Sequence, residues 1–214
     1  MKKLFIFLAI TFPLMSYPTA EAQNIDYDIL CGLQQQRTPT MNTVMEWTSN
    51  SLILAPCIPA GFLISGYSTN NQQLANIGIS TGISFATAAA ITEIVKFSVH
   101  RPRPYNGYPD DLIPVKRTLG YSFPSGHTSL TFAVATSLSL CYPKWYVITP
   151  SILWAGGVAF SRLYLGVHYP SDVITGMLVG VASGFFGYWL SQRLQEESII
   201  PTPKIMTAPL VIKF

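Results

Sequence analysis

The sequence predicts an all-α, membrane-embedded helical bundle of about five to six helices behind an N-terminal signal peptide, and three observations carry that prediction. Of 214 residues, 49% are hydrophobic and only 11% charged, against roughly 25% charged in an ordinary soluble domain; the mean hydropathy is +0.34. The apolar residues gather in long segments without the sustained period-two alternation of strands. Within those segments Gly, Ala, Ser and Thr recur, as close helix contacts in membranes favour.

Taken in order, the chain opens with Lys2 and Lys3, an apolar run over 4–15 and then Ala20-Glu21-Ala22. These are the three parts of a secretory leader over 1–22 with cleavage after Ala22. The run is shorter than the roughly 20 residues of a spanning helix; an uncleaved anchor is the alternative. Residues 23–50 read as a polar amphipathic segment, with one or two short helices on the bundle or at the interface. Apolar segments follow at 51–67, which Pro56 and Pro59 interrupt, and at 74–95, 127–142, 145–164 and 173–190. Residues 51–195 make one domain, with Trp145 and Trp189 near helix ends as interface anchors. Glu196, Glu197, Pro201, Pro203 and Pro209 then predict an extended or disordered tail over 196–214.

Other function classes are excluded by what the charges and cysteines do. A formal charge of +3 without a basic run gives no footprint for nucleic acid. Cys31, Cys57 and Cys141 make no disulfide framework, and the two in apolar stretches are expected to pack as small hydrophobes. No cysteine pair, and no spacing of His100, His127 and His168, makes a zinc-type metal site.

Alternating crossings from an outside N-terminus place both polar connections, 96–126 and 161–172, on the outer face. An uncleaved first helix starting inside gives the same result. Both connections are therefore expected outside the cytoplasm. Basic residues are in excess on that outer face, against the positive-inside tendency, and a need to bind an anion there accounts for them.

Three polar stretches share that face: Lys96 to Arg103-Pro104, Pro124-Ser125-Gly126-His127, and Ser161-Arg162 followed by His168 and Asp172. Lys96 supplies a point charge, and Arg103 and Arg162 supply planar forks that fit phosphate. Ser125, Gly126 and His127 stand where a helix begins, so free N–H groups and the helix dipole add to anion binding. His168 and Asp172, four apart, share a face if the turn is helical. A carboxylate on one ring nitrogen leaves the other as a nucleophile, and His127, on another segment, is free to protonate a leaving oxygen.

The pattern K-x6-RP, then PSGH, then SR-x5-H-x3-D resembles the type 2 phosphatidic acid phosphatase (PAP2) superfamily, with every defining position matched over roughly residues 74–190. The resemblance implies a helical-bundle phosphatase without metal or other cofactor. Lys96, Arg103, Arg162, Ser125 and the Gly126 backbone would bind the phosphoryl group. His168 would attack phosphorus to give a phosphohistidine, Asp172 would orient it, and His127 would protonate the leaving group and then activate water. The implied substrate is a phosphorylated lipid taken from among the membrane lipids: phosphatidic acid, phosphatidylglycerol phosphate, undecaprenyl diphosphate or a lipid A phosphate.

The alternatives on the same motifs are a secreted non-specific acid phosphatase and a vanadate-dependent haloperoxidase; a non-enzymatic membrane scaffold or transporter is the alternative of another class. Off the defining positions, His100 and Arg101 read as structural or substrate-rim residues. Asp110, Asp111, Lys116 and Arg117 read as a solvated loop, and Tyr105, Tyr108, Tyr121 and Tyr164 as pocket mouth or interface belt.

Overall fold

The computed structural model describes residues 20–196, with side chains from Ile25 onward. The expected leader, apart from 20–22, and the tail beyond Glu196 lie outside the described residues. Helix α1 (Ala20–Gln35) leads to α2 (Pro39–Asn50). Thr38 caps α2 by accepting the Met41 N–H at 3.2 Å, with Pro39 in the first helical position. One 3-10 turn, Ser51–Ile53, passes the chain into α3 (Leu54–Ser68). Pro56 does not break α3, because in the first turn its missing N–H costs no helical bond; Pro59 is accommodated inside the helix.

Asn71 caps α4 (Gln72–Val99), accepting the Leu74 N–H at 3.2 Å. The helix stops where His100 takes a left-handed φ of +53° and its N–H returns to the Lys96 carbonyl at 3.1 Å, and Pro102 keeps it from resuming. Then come the short α5 (Pro104–Gly107), α6 (Gly126–Cys141), α7 (Trp145–Tyr164) and α8 (Pro170–Glu196). Among the described residues there is no strand, as the sequence predicts.

Helix α6 is the centre of the bundle, buried along most of its length between α4, α7 and α8, while α3 packs on α4 and the pair α1–α2 lies across α7 and the start of α8. Contact between α6 and α8 is made at glycines four apart. A Cβ added at Gly176 would lie 2.7 Å from the Ser125 carbonyl oxygen, and one at Gly180 2.7 Å from Phe132 Cβ, so only glycine permits this approach. The Ser125 N–H consequently reaches the Asp172 carbonyl at 3.0 Å. Close helix approach is what brings two of the motif stretches together.

The interior is rich in hydroxyls, with the Ser80 and Ser137 Oγ atoms 2.9 Å apart between α4 and α6. The outside is apolar: Ile94 and Phe97 on α4, Leu153 and Phe160 on α7, and Leu178, Phe185 and Trp189 on α8 are exposed. Such a continuous apolar exterior is the surface of a protein solvated by lipid. Among the described residues three runs are long and apolar enough to cross a membrane: Pro39–Ser68, Gln72–Gly107 and Pro170–Glu196. This is a membrane protein. Helix α6 falls outside that set because it is short and enclosed by its neighbours, and α7 because Pro150 and Arg162 interrupt its apolar character. The cysteines are free; Cys141 packs against the cluster around Val134 and Leu138, whereas Cys57, expected inside, is exposed on the lipid side of α3.

Candidate active site

The motif residues meet at one end of the bundle, where α4 and α7 end and α6 and α8 begin. His168 lies in the turn between α7 and α8 and is 2% exposed. Its Nδ1 is 2.7 Å from the Ser122 carbonyl oxygen and 3.5 Å from Asp172 Oδ2. Both neighbours accept, so Nδ1 carries the proton and Nε2 presents a lone pair. That lone pair faces Arg103 Nη1 at 3.3 Å. Burial holds the ring's pKa well below its ordinary 6.5, reinforced by the charges of Arg162, Arg103 and Lys96 and opposed by the Ser122 carbonyl. The imidazole is therefore neutral, as a nucleophile requires.

Arg103 is fixed by main-chain carbonyls: Nε donates to Gly120 at 3.0 Å, Nη2 to Leu119 at 2.9 Å and Nη1 to Val167 at 2.8 Å. The loop that supplies two of these is itself tied down. Tyr105 donates to the Thr118 carbonyl at 2.6 Å, and Gln34 of α1 donates to Asp111 at 2.8 Å and accepts from the Ile113 N–H at 2.8 Å. Arg37 adds bonds to the Tyr164 and Ile113 carbonyls.

The other half of the site is looser. Ser125 precedes α6, its hydroxyl taken by Thr128 at 2.9 Å, and a Cβ on Gly126 would stand 3.4 Å from Lys96 Nζ. Lys96 pairs with exposed Glu93 at 3.2 Å, a surface pair of little strength. Arg162 donates through Nη1 to Ser49 Oγ, while its buried Nε has no hydrogen-bond partner. A guanidinium N–H left unsatisfied in the interior fits an acceptor supplied by a ligand. His127, half-buried, lines a cleft of about 320 Å³ whose other walls include Ser49, Leu52, Pro56, Phe85 and Leu130.

Four contributors escape the sequence reading of the site. Ser122 acts through its carbonyl, which no side-chain pattern reports. Ser49 and Asp26 come from the polar N-terminal segment, far from the motifs in sequence. Arg101 sits inside the first motif: it donates to Asp172 Oδ1 at 2.7 Å and pairs with Asp26 at 2.9 Å. Asp172 accordingly has Arg101 as its closest ionic partner, and His168 stands farther off. Two tyrosines expected at the pocket mouth or belt are structural instead: Tyr105 and Tyr164 are 5% and 4% exposed, and the Tyr164 hydroxyl accepts the Thr38 N–H at 3.1 Å. Among the described residues no three of His, Cys, Asp and Glu converge to hold a metal ion.

A helical membrane bundle that gathers cationic forks, a helix start and a fixed neutral histidine at one end defines a class of protein built to handle an oxyanion at a membrane. The chain belongs to the PAP2 superfamily, whose family model matches residues 78–196. It is similar to the undecaprenyl-diphosphatase of Sulfolobus acidocaldarius, 36% identical over 135 residues, which is 63% of this chain and 62% of that protein. It is 34% identical over 90 residues to the lipid A 4'-phosphatase of Bacteroides thetaiotaomicron, 40% of each chain. Over 82 residues it is 38% identical to phosphatidylglycerophosphatase B of Escherichia coli K12, 37% of this chain and 32% of that one. The chain thus spans between 32% and 62% of the length of these relatives.

Among solved structures, the PAP2 type phosphatidylglycerolphosphate phosphatase from Bacillus subtilis superposes with a TM-score of 0.70 at 24% identity, over 88% of this chain and 96% of that one. A bacterial vanadium-dependent chloroperoxidase superposes with a TM-score of 0.57 at 15% identity, over 82% of this chain and 50% of that one. At those identities the likeness is one of fold.

Proposed function

We propose that this chain is a metal-independent phosphatase that hydrolyses a lipid phosphate or diphosphate through a phosphohistidine, with its site on the periplasmic face of a bacterial inner membrane. The observation that carries the reading is the His168 ring, neutral and buried, with its Nδ1 proton on the Ser122 carbonyl beside Asp172 and its Nε2 lone pair beside Arg103. A phosphoryl group bridging Arg103, Arg162, Lys96 and the Ser125–Gly126 helix start is brought up to that lone pair.

The Nε2–P bond forms as the P–O bond to the lipid breaks, and His127 gives a proton to the departing oxygen. Burial and the charge of Arg162 push the His127 pKa down to about 2 before substrate binds, and the ring takes up its proton as the phosphoryl anion offsets the surrounding cations. A water then attacks phosphorus, His127 takes its proton, the N–P bond breaks and inorganic phosphate leaves. Protein cations and N–H groups stabilise the charge on the transferring oxygens. No metal-ligand cluster is required for that step. The undecaprenyl-diphosphatase, lipid A 4'-phosphatase and phosphatidylglycerophosphatase B relatives support a lipid phosphate as the substrate class. The apolar cleft beside His127 supports it independently, since Leu52, Pro56, Phe85 and Leu130 offer a hydrocarbon chain a wall next to the acid.

The test is phosphate release by the purified protein, with chelator present, across phosphatidic acid, phosphatidylglycerol phosphate, undecaprenyl diphosphate, a lipid A phosphate and p-nitrophenyl phosphate. Turnover of at least one lipid above the soluble ester supports the reading. A preference for the soluble ester points to the acid-phosphatase alternative, and halide oxidation on adding vanadate points to the haloperoxidase.

A further inference from the structure

Helix α1 lies outside the residues matched by the family model, yet it sends one carboxylate to the back of the site. Asp26 is 4% exposed. Its Oδ2 accepts from Arg101 Nη2 at 2.9 Å and from the Ser171 hydroxyl, and its Oδ1 accepts the Ser171 N–H at 3.0 Å. Arg101 reaches onward through Nη1 to Asp172 Oδ1 and to Ser171 Oγ, both at 2.7 Å, with its guanidinium 3.9 Å over the Tyr169 ring. Asp172 keeps Oδ2 for the Tyr169 N–H at 2.9 Å and for the His168 ring.

Each oxygen of Asp172 therefore has a separate duty, and the division depends on what else holds Arg101. A guanidinium offered a single carboxylate closes on both of its oxygens with two parallel N–H groups. Asp26 prevents that closure by occupying Nη2, so Arg101 touches Asp172 at one oxygen only. The same carboxylate meets a free N–H in the first turn of α8, where negative charge is favoured, and so fixes the turn from which Asp172 projects.

We propose that Asp26 is a positioning residue for the reaction: it holds Arg101 to a one-point contact with Asp172 and anchors the start of α8, leaving Asp172 Oδ2 to steady Tyr169 and the His168 ring. The inference rests on the phosphatase reading of the site. It makes the N-terminal helix a working part of that site.

The experiment uses the full chain in detergent and the lipid that the parent enzyme turns over fastest. Asp26→Asn is expected to lower kcat by about tenfold, as loss of an orienting hydrogen bond behind a reacting group does, with KM and inhibition by inorganic phosphate within about twofold, because the phosphate-binding groups are untouched. In an Arg101→Gln background the same change should cost only about twofold to threefold, since the guanidinium that Asp26 restrains is gone and the Ser171 anchor alone remains. A kcat within twofold of the parent, an equal rise in the phosphate inhibition constant, or a full additional loss in the Arg101→Gln background overturns the inference. Should Asp26→Asn fail to fold, Asp26→Glu keeps the charge but displaces it from Arg101 and the Ser171 N–H; a kcat lowered several-fold at unchanged KM supports the inference, and an unchanged kcat overturns it. An active parent with an indifferent Asp26 overturns this inference alone. A parent inactive on every lipid overturns the phosphatase reading with it.

Discussion

Around His168 nearly every polar group already has its partner: three carbonyls hold Arg103, a carbonyl and a carboxylate face Nδ1, and Arg101 ties Asp172 to α1. Around His127 the arrangement is open, with Arg162 Nε unpartnered, Lys96 on a weak surface pair and the ring at the wall of an apolar cleft. One half is finished before substrate arrives, and the other is completed by it. Under the proposed phosphatase reading, the deep half holds the reacting atom still and the open half admits and releases the lipid. Positioning made in advance is not reorganised at the moment of reaction.

The sharpest way to break the comparison is to cut the finished half. His168→Ala removes the attacking nitrogen and is expected to lower phosphate release by about four orders of magnitude or more, with the protein still inserted and folded. His127→Ala strikes the open half and should cost about a hundred- to ten-thousand-fold. That loss should be smaller on p-nitrophenyl phosphate, whose leaving oxygen needs less help from an acid. Equal losses on lipid and soluble ester would remove His127 from the leaving-group step.

Arginine replacements sharpen the contrast further. Arg162→Lys keeps the charge but loses the planar fork and is expected to raise KM and lower kcat/KM by about tenfold, with little change in thermal stability. Arg103→Lys should lower kcat and also the melting temperature, because the buried Val167 carbonyl loses its donor and a buried carbonyl left unpaired costs about 1–3 kcal/mol. Matching stability losses in the two variants would contradict the division.

A smaller effect follows from pH. The His168 pKa is lower in the folded chain than its ordinary 6.5, so below that value the unfolded chain takes up a proton that the folded chain refuses. Stability therefore falls as pH drops through 6.5 and continues to fall to the folded pKa. The melting temperature should decrease between about pH 7 and pH 5, and decrease less in His168→Asn. In kcat/KM, which reports the free enzyme, any acid limb due to His168 lies below 6.5.

Much of this was legible in the sequence because it is local. The apolar segments placed the long helices, and two of these run past them at the site end: α4 continues through Lys96 to Val99, and α8 starts at Pro170, ahead of the apolar run at Val173. Arg103, Ser125, His127, Arg162, His168 and Asp172 stand in compact motifs, each recognisable within a few residues. What was not legible acts at a distance or through the main chain. Ser122 orients the His168 ring with a carbonyl that any residue possesses. Ser49 and Asp26 arrive from amphipathic helices whose pattern says nothing of where they dock, folding back more than a hundred residues in sequence onto Arg162 and Ser171. Tyr105 and Tyr164 look like membrane-interface residues by type, yet their hydroxyls are spent on the Thr118 carbonyl and the Thr38 N–H.

The central claim is that His168 carries the phosphoryl group, and rapid quenching of the enzyme with a lipid labelled in its terminal phosphate tests it most directly. Label retained on the parent protein through a P–N bond at His168, and absent from His168→Ala, is the expected result. Turnover by the parent with no trapped label at any quench time, or label found on another side chain, would contradict it.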